Sequence, residues 1–258
     1  MNYIGIDIGS TCAKTVVLNE KKEIIQEFVQ PTGWSSVDTA EEIRQKLELN
    51  GINLSEDSSC CVATGYGRIS VPYADKTVTE ITCHALGAVH LFQQPDLTVV
   101  DIGGQDTKII QIEQGFVKDF IMNDKCAAGT GRFLEVMANT LSLRPNEMFD
   151  LARLGSDTTI SSMCTVFAES EVIGLIGKGE PKENIAYAVV NSTIRKVAAQ
   201  VSRMNGEMSA FCLTGGLCEC DYIREALSKE LGNEVISCPD ARYAGALGAA
   251  LSATKIRK

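Results

Sequence analysis

The run Asp7-Ile8-Gly9-Ser10-Thr11-Cys12-Ala13-Lys14 returns as Asp101-Ile102-Gly103-Gly104-Gln105-Asp106-Thr107-Lys108. Each copy follows a short apolar strand, and each carries a lysine seven positions after its aspartate. Both continue into strand, turn and strand: residues 16–18, 19–23 and 24–28 correspond to 109–112, 113–115 and 116–120, the second turn being shorter. A repeated unit of this length constrains the whole fold.

Each copy ends a strand in a carboxylate, turns on a glycine and goes on with small or polar residues. Backbone N–H groups exposed in such a turn can face phosphate oxygens. An aspartate at the rim of a sheet can hold the water shell of Mg²⁺, which prefers oxygen ligands. Two such turns would grip a polyphosphate from both sides. One Asp-x-Gly alone reads as readily as a plain hairpin turn; two in register, each with its lysine, carry the phosphate reading.

A chain of 258 residues can bury one large core or two smaller ones. Its 45% hydrophobic and 22% charged residues are ordinary globular composition. The net charge of −9 argues against a nucleic-acid surface, which needs clustered Lys and Arg. The apolar runs are too short to span a bilayer. A strand begins at once with no signal-peptide pattern, so a cytoplasmic protein with no membrane partner is expected.

Ten cysteines beside two histidines are unusual. Nothing suggests secretion, so a disulfide framework is not expected, and no Cys-x-x-Cys pair occurs. Cys12, Cys60, Cys61, Cys83, Cys212 and Cys238 lie in or beside apolar segments and read mostly as small buried hydrophobes. Cys218 and Cys220 flank Glu219 near a helix start, a weak candidate for metal binding.

Along the chain, a hairpin over 3–29 leads to a helix capped by Ser35 or Ser36, with Val37, Ala40, Ile43 and Leu47 on one face and Gly51 at its end. A strand at 60–63 enters the glycine-rich turn Thr64-Gly65-Tyr66-Gly67-Arg68, and 79–92 reads as a helix. After the second hairpin come helices with the stripe Phe133, Val136, Met137 and Leu141, another opened by Pro145, one after Cys164 carrying Phe167, Ile173 and Leu175, and a long one from Pro181 to about Met204. A strand over 209–213, a helix over about 219–231, a strand at 234–236 and a small-residue helix over about 240–253 complete the chain. The expected division is a first lobe of 1–94 with the C-terminal helix of about 240–258, and a second lobe of 95–239.

Leu213-Thr214-Gly215-Gly216-Leu217 is a third glycine turn, between an apolar strand and a helix. With the two Asp-Ile-Gly turns it resembles the three-part pattern of the acetate and sugar kinase/Hsp70/actin superfamily. That resemblance covers almost the whole chain. It implies an α/β, two-lobed, ribonuclease H-like fold with a duplicated mixed sheet flanked by helices, and ATP with Mg²⁺ in the cleft between closing lobes. It also implies that Asp7 and Asp101 share the metal shell and the positioning of attacking water, with Gln105 orienting that water. Gly9, Ser10, Thr11, Gly103 and Gly104 would cradle the phosphates and Gly215 and Gly216 the adenosine. Lys14 or Lys108 could neutralise phosphate charge, and either could equally be an exposed strand residue. Glu169 and Glu171 are further acidic candidates, or solvated carboxylates on a helix face.

Superfamily membership leaves the chemistry open. The segments Asn123-Asp124-Lys125-Cys126-Ala127-Ala128-Gly129-Thr130-Gly131-Arg132-Phe133 and Ser162-Met163-Cys164-Thr165-Val166-Phe167-Ala168-Glu169-Ser170-Glu171 narrow it. With residues 63–68 and 79–85 they resemble the activators of 2-hydroxyacyl-CoA dehydratases, in the BadF/BadG/BcrA/BcrD ATPase family that also serves benzoyl-CoA reductases. The resemblance implies that Cys126 and Cys164 from each of two chains bind one [4Fe–4S] cluster in a homodimer. Such a cluster wants four thiolates, and a C2 dimer presents two of them twice. It further implies a ferredoxin or flavodoxin donor, ATP-driven conformational coupling, and a dehydratase or reductase as electron acceptor. Both cysteines are expected at or just before helix starts, where N–H groups favour an anionic centre. A small-molecule kinase of the same superfamily, for an amino sugar or short acid, is the alternative; the Gly-Asp-Glu-Gly-Ser type segment and the zinc cysteines of amino-sugar kinases are missing. An actin-type scaffold fits less well, because the chain lacks the insertions such proteins use for contacts.

Overall fold

A computed structural model describes residues 1–54, 58–161, 164–205 and 210–256. Ser162 and Met163 of the second cysteine motif, and Ser209, expected to begin a strand, lie outside the described residues.

The first sheet consists of β1 (Asn2–Ile8), β2 (Cys12–Leu18), β3 (Ile24–Pro31), β4 (Ser59–Thr64) and β5 (Lys76–Thr77), in the order β3-β2-β1-β4-β5. β2 is antiparallel to β1 and β3, whereas β4 is parallel to both β1 and β5. The second sheet consists of β6 (Leu97–Ile102), β7 (Thr107–Glu113), β8 (Phe116–Asn123), β9 (Ala210–Gly215) and β10 (Val235–Ile236). Its order, β8-β7-β6-β9-β10, repeats the first strand for strand. The expected duplicated mixed sheet is therefore present, and the duplication runs beyond the two hairpins into the fourth and fifth strands. β5 escaped sequence reading because two residues are too few to show an alternating pattern.

Among the described residues the α-helices are α1 (Ser36–Leu49), α2 (Glu80–Phe92), α3 (Gly131–Thr140), α4 (Pro145–Ala152), α5 (Thr165–Gly177), α6 (Lys182–Val201), α7 (Asp221–Leu231) and α8 (Ala244–Ala253). The chain forms two compact units: Met1–Val99 with Ile112–Lys118 and Asp240–Lys258, and Val100–Gln111 with Asp119–Pro239. No helix among the described residues is long and apolar enough to cross a membrane.

In the first unit the alternation of a strand decides which side chain meets which helix. Ile4, Ile6 and Ile8 share a core with Ile43 and Leu47 of α1. Gly5 and Asp7 point the other way, towards α8. A Cβ on Gly5 would lie 1.9 Å from the Ala246 carbonyl oxygen and 2.3 Å from the Ala250 nitrogen, so α8 rests directly on the β1 backbone. α2 meets the opposite side of α8 as closely, for a Cβ on Gly248 would come within 1.7 Å of the Cys83 carbonyl oxygen. In the second unit, β6, β7 and β9 share one core with α3 to α7, including Ile102, Phe133, Met137, Val172, Val189, Ile194 and Leu213.

Ser35 caps α1 by accepting from the Asp38 N–H at 3.2 Å. Val37, expected on the buried face, is exposed, and Thr39 occupies that face instead. Thr39 stands one turn before Ile43, and its hydroxyl finds the Thr32 carbonyl at 2.5 Å. The expected helix over 240–253 is divided into a 3-10 turn, Pro239–Tyr243, and α8. α7 starts at Asp221, two residues later than expected, with Cys220 as its N-cap.

Replacing Gly5 by Ala should cost about 3 kcal/mol, the upper end of overpacking penalties, because backbone rather than a flexible side chain blocks the methyl. A urea or thermal melt measures this. An unchanged midpoint would show that α8 does not sit on β1 at this distance.

Candidate functional site

Two turns, one per unit, gather the expected phosphate residues. In the first, Asp7 ends β1 and is buried, while Ser10 and Thr11 at the tip are exposed and Gly9 is partly so. The tip is held from below: Gly9 N–H donates to the Cys12 carbonyl at 3.1 Å, and Thr32 N–H to the Thr11 carbonyl at 3.0 Å. The Thr32 hydroxyl donates to the Gly9 carbonyl at 2.7 Å. The glycine-rich turn after β4 braces it from the side, where Gly67 N–H meets the Ile8 carbonyl at 2.8 Å. Gly65 has φ +88°, and a Cβ there would stand 2.5 Å from both Asp7 Oδ1 and the Ile8 carbonyl oxygen. Lys14 faces Asp7 across the β1–β2 ladder and is half-buried.

The second turn repeats the plan with different partners. Asp101 is 2% exposed; Thr214 at the end of β9 donates to its Oδ1 at 2.8 Å, and the Lys108 ammonium lies 3.3 Å from its Oδ2. Lys108 also pairs with Asp106 at 2.7 Å. Of the two lysines left open by the sequence, Lys108 is thus a buried ion-pair residue rather than an exposed strand residue. Gln105 is exposed and Gly103 and Gly104 are partly so. Gly215 has φ +85°, and a Cβ there would meet the Ile102 carbonyl oxygen at 2.7 Å and Asp101 Oδ1 at 2.9 Å. Gly216 is exposed beside it. Gly65 and Gly215, each after a threonine, therefore leave the same clearance beside their aspartates at the ends of equivalent strands. Sequence reading noted both turns but missed that they are copies, since the shared signal is only two residues long.

Beyond the second turn the chain leads to the two motif cysteines. Gly131 N–H donates to the Gly103 carbonyl at 2.9 Å and Arg132 N–H to the Gly104 carbonyl at 2.8 Å, so the start of α3 is clamped onto the turn. The Thr107 hydroxyl donates to the Gly129 carbonyl at 2.6 Å. Asn123 donates to the carbonyls of Cys126 and Ala128 at 2.9 and 3.1 Å. The loop bearing Cys126 is therefore tied to the phosphate turn at several points. Cys126 is half-buried in this loop, five residues before α3, whose N-cap is Thr130. The helix-start placement expected for both cysteines holds for Cys164, which is exposed and is the N-cap of α5.

Glu169 and Glu171 on α5 are committed to packing. Glu169 accepts from the Thr140 hydroxyl of α3 at 3.1 Å, and Glu171 accepts from Ser161 N–H at 3.1 Å, fastening the segment before α5. Val166, Phe167, Ile173 and Ile176 of the same helix are exposed. Among the described residues no group of three or more His, Cys, Asp and Glu could hold a metal ion within one chain.

The remaining cysteines divide by burial. Cys60, Cys61, Cys83, Cys212 and Cys218 are buried, while Cys12, Cys220 and Cys238 are intermediate. Burial pushes the Cys83 thiol up to about 12 and raises Cys212 and Cys220 as well. A thiol is nucleophilic and metal-binding as the thiolate, so these groups are inert near neutral pH. His84 of α2 is the neighbour of Asp7 that no spacing rule could find, for 77 residues separate them and the fold alone brings them to 4.0 Å.

The family model for BadF/BadG/BcrA/BcrD ATPases matches residues 4–253. The chain is 44% identical over 257 residues to the (R)-2-hydroxyglutaryl-CoA dehydratase activating ATPase of Acidaminococcus fermentans, covering 98% of this chain and 96% of that one. The crystal structure of (R)-2-hydroxyglutaryl-CoA dehydratase component A from the same organism superposes with a TM-score of 0.91 at 41% identity, over 99% of this chain and 98% of that one. The activator of the 2-hydroxyisocaproyl-CoA dehydratase from Clostridium difficile, solved with bound ADPNP, gives 0.89 at 35% identity, over 99% and 95%. The fold is that of the acetate and sugar kinase/Hsp70/actin superfamily.

Iodoacetamide applied to the native protein without bound metal should label Cys164 first and Cys126 next. Cys60, Cys61, Cys83 and Cys212 should react only after denaturation. Peptide mass spectrometry reads the order, and rapid native labelling of Cys83 would contradict its burial.

Proposed function

The chain belongs to the BadF/BadG/BcrA/BcrD ATPase family and is an ATPase, and on that premise we propose that it is an ATP-dependent one-electron activator of a 2-hydroxyacyl-CoA dehydratase or a related reductase. In this reading two copies of the chain share one [4Fe–4S] cluster, and a ferredoxin or flavodoxin of the cytoplasm supplies the electron. The single observation that carries the coupling is the set of hydrogen bonds from the second phosphate turn to the Cys126 loop and the start of α3. Whatever ATP does at Gly103 and Gly104 is transmitted through bonds that end at Gly129, Gly131 and Arg132, on the segment that carries a candidate cluster ligand.

The donor set fits the cluster. Cys126 and Cys164 are free, accessible to different degrees, and lie in one compact unit on segments joined through α3 and α5. One chain offers two such thiols where four are needed, so a C2 pair completes the shell. Cys164 stands at the N-terminus of α5, where helix N–H groups suit an anionic centre. The exposed Val166, Phe167, Ile173 and Ile176 give α5 an apolar surface suited to a second copy. When bound, the cluster supplies a one-electron couple; the remaining work falls to the chain itself.

At the nucleotide, Asp7 and Asp101 are the proposed catalytic carboxylates, with Mg²⁺ and its waters as the group they serve. Their placement near strand ends, next to turns with exposed tips, is what such a metal–phosphate ligand needs. Gln105 is exposed and free to orient water. Gly9, Ser10 and Thr11 bind phosphate through the first turn, and Gly103 and Gly104 through the second. Gly215 and Gly216 accommodate the nucleoside, because a side chain at 215 would be driven into Asp101. Lys108 is occupied by Asp101 and Asp106, so Lys14 is the lysine left to meet phosphate charge.

Cys126→Ser, purified without oxygen, should lose the iron and acid-labile sulfide of the wild-type protein while still binding ADP; full cluster content in the variant would sink the proposal. The coupling path has its own test. Thr107→Val removes one hydrogen bond of about 1 kcal/mol, so amide exchange over residues 124–130 should quicken about fivefold. In the wild type that exchange should respond to added nucleotide, and in the variant the response should shrink.

A further inference from the structure

The two aspartates are held by different means. Asp101 is braced within its own repeat by Thr214 and by the Lys108 ammonium. The corresponding groups of the first copy are present but do not engage Asp7. Lys14 is its cross-strand neighbour, yet among the described residues Lys14 makes no ion pair. The buried Thr64 hydroxyl makes no hydrogen bond to it either.

His84 approaches instead. Its Nε2 stands 4.0 Å from Asp7 Oδ2, with side-chain exposures of only 5% and 6%. The helix packing is shaped around this pair. A Cβ on Gly245 of α8 would lie 2.5 Å from Asp7 Oδ2 and 2.9 Å from His84 Nε2, so any side chain there would force the two apart. Gly65 leaves the same clearance for Oδ1. Burying an aspartate and an imidazole together costs several kcal/mol unless they are used or paired.

We propose that His84 is a positioning residue for Asp7, fixing its carboxylate from α2 so that Asp7 is the principal cation-binding aspartate. This rests on the ATPase reading above. The physical reason is charge. The Lys108 ammonium, 3.3 Å from Asp101 and 2.7 Å from Asp106, ties Asp101 into an ion-pair network of its own, whereas no lysine or arginine of the described residues pairs with Asp7. Mg²⁺ is held by one or two carboxylates together with phosphate oxygens and water, and Asp7 fits that role better than Asp101. A gap of 4.0 Å closes to a hydrogen bond with a shift of about 1 Å, and such contacts often tighten only when ligand is bound. His84 is buried beside the Asp7 carboxylate, so its effect on the nucleotide passes through Asp7.

The test compares wild type, His84→Ala and His84→Gln for ADP binding by calorimetry, with and without Mg²⁺, and for Mn²⁺ binding in the presence of ADP by electron paramagnetic resonance. His84→Ala should bind metal-free ADP as wild type does but lose about tenfold of the gain that Mg²⁺ confers, and weaken Mn²⁺ binding to match. His84→Gln, which keeps an N–H donor near the Nε2 position, should recover most of the loss. Should the alanine variant fail to fold, His84→Asn, whose amide is too short to reach Oδ2, takes its place with the same expected loss. A folded alanine variant with the full Mg²⁺ gain would overturn the proposal, as would a glutamine variant as defective as alanine. If wild type itself bound no ADP and hydrolysed no ATP, the ATPase reading would fail instead.

Discussion

Alternation along β1 is the constraint from which the first nucleotide turn follows. Three isoleucines at positions 4, 6 and 8 must face α1, which sends Gly5 and Asp7 to the face covered by α8. A slip of one residue would exchange these sets, putting a carboxylate in the α1 core and isoleucines against a helix that has no room for them. The register is thereby fixed by volume at Gly5 and by charge at Asp7. Because α8 lies on the backbone of β1, it brings Gly245 beside the carboxylate, and because α2 lies on α8, it brings His84. Asp7 is oriented here by helix packing more than by any residue near it in sequence.

The second copy solves the same problem locally. Thr214 and Lys108 come from the strands on either side of β6, so Asp101 needs no helix to hold it. This leaves the tip of the second turn available for another use. Its two glycine carbonyls, at 103 and 104, accept the first N–H groups of α3, which at a helix start would otherwise lack partners. A Cβ on Gly131 would lie 3.2 Å from the Gly103 carbonyl oxygen, so glycine at the start of α3 permits this close approach. The helix that starts there is preceded by the Cys126 loop, and its other end is linked by Thr140 to Glu169 on the helix capped by Cys164. Both motif cysteines thus belong to a connected set of hydrogen-bonded segments rooted in one phosphate turn.

Much of this was legible in the sequence where a local rule applied. The hairpins, the Ser35 cap, Pro145 at the start of α4 and the buried stripe Ala40, Ile43 and Leu47 follow from periodicity and capping chemistry. Val37 was misplaced because a single valine near a helix start can fall on either side of the buried arc, and Thr39 could satisfy its hydroxyl within that arc. The carboxylates and glycines of both turns were found because the duplication displayed them twice. His84 was not, because its role depends on two successive helix contacts that leave no spacing signature. Cys126 does not stand at the helix start itself: the N-cap of α3 is Thr130, four residues further on.

Duplicated folds begin with two equivalent sites, and a device that converts one ligand's binding into work at another place needs them to differ. The difference here is electrostatic and topological at once. A carboxylate tied into a local network of lysine, threonine and a second aspartate is a stable fixture, suited to anchoring a turn whose carbonyls hold a helix. A carboxylate without such a lysine retains its charge, suited to a metal ion that arrives with phosphate and leaves after hydrolysis. On the proposed reading the first copy senses the metal–nucleotide and the second transmits the change, because only the second has exchanged its freedom to bind cations for a hydrogen-bonded path to the cysteines.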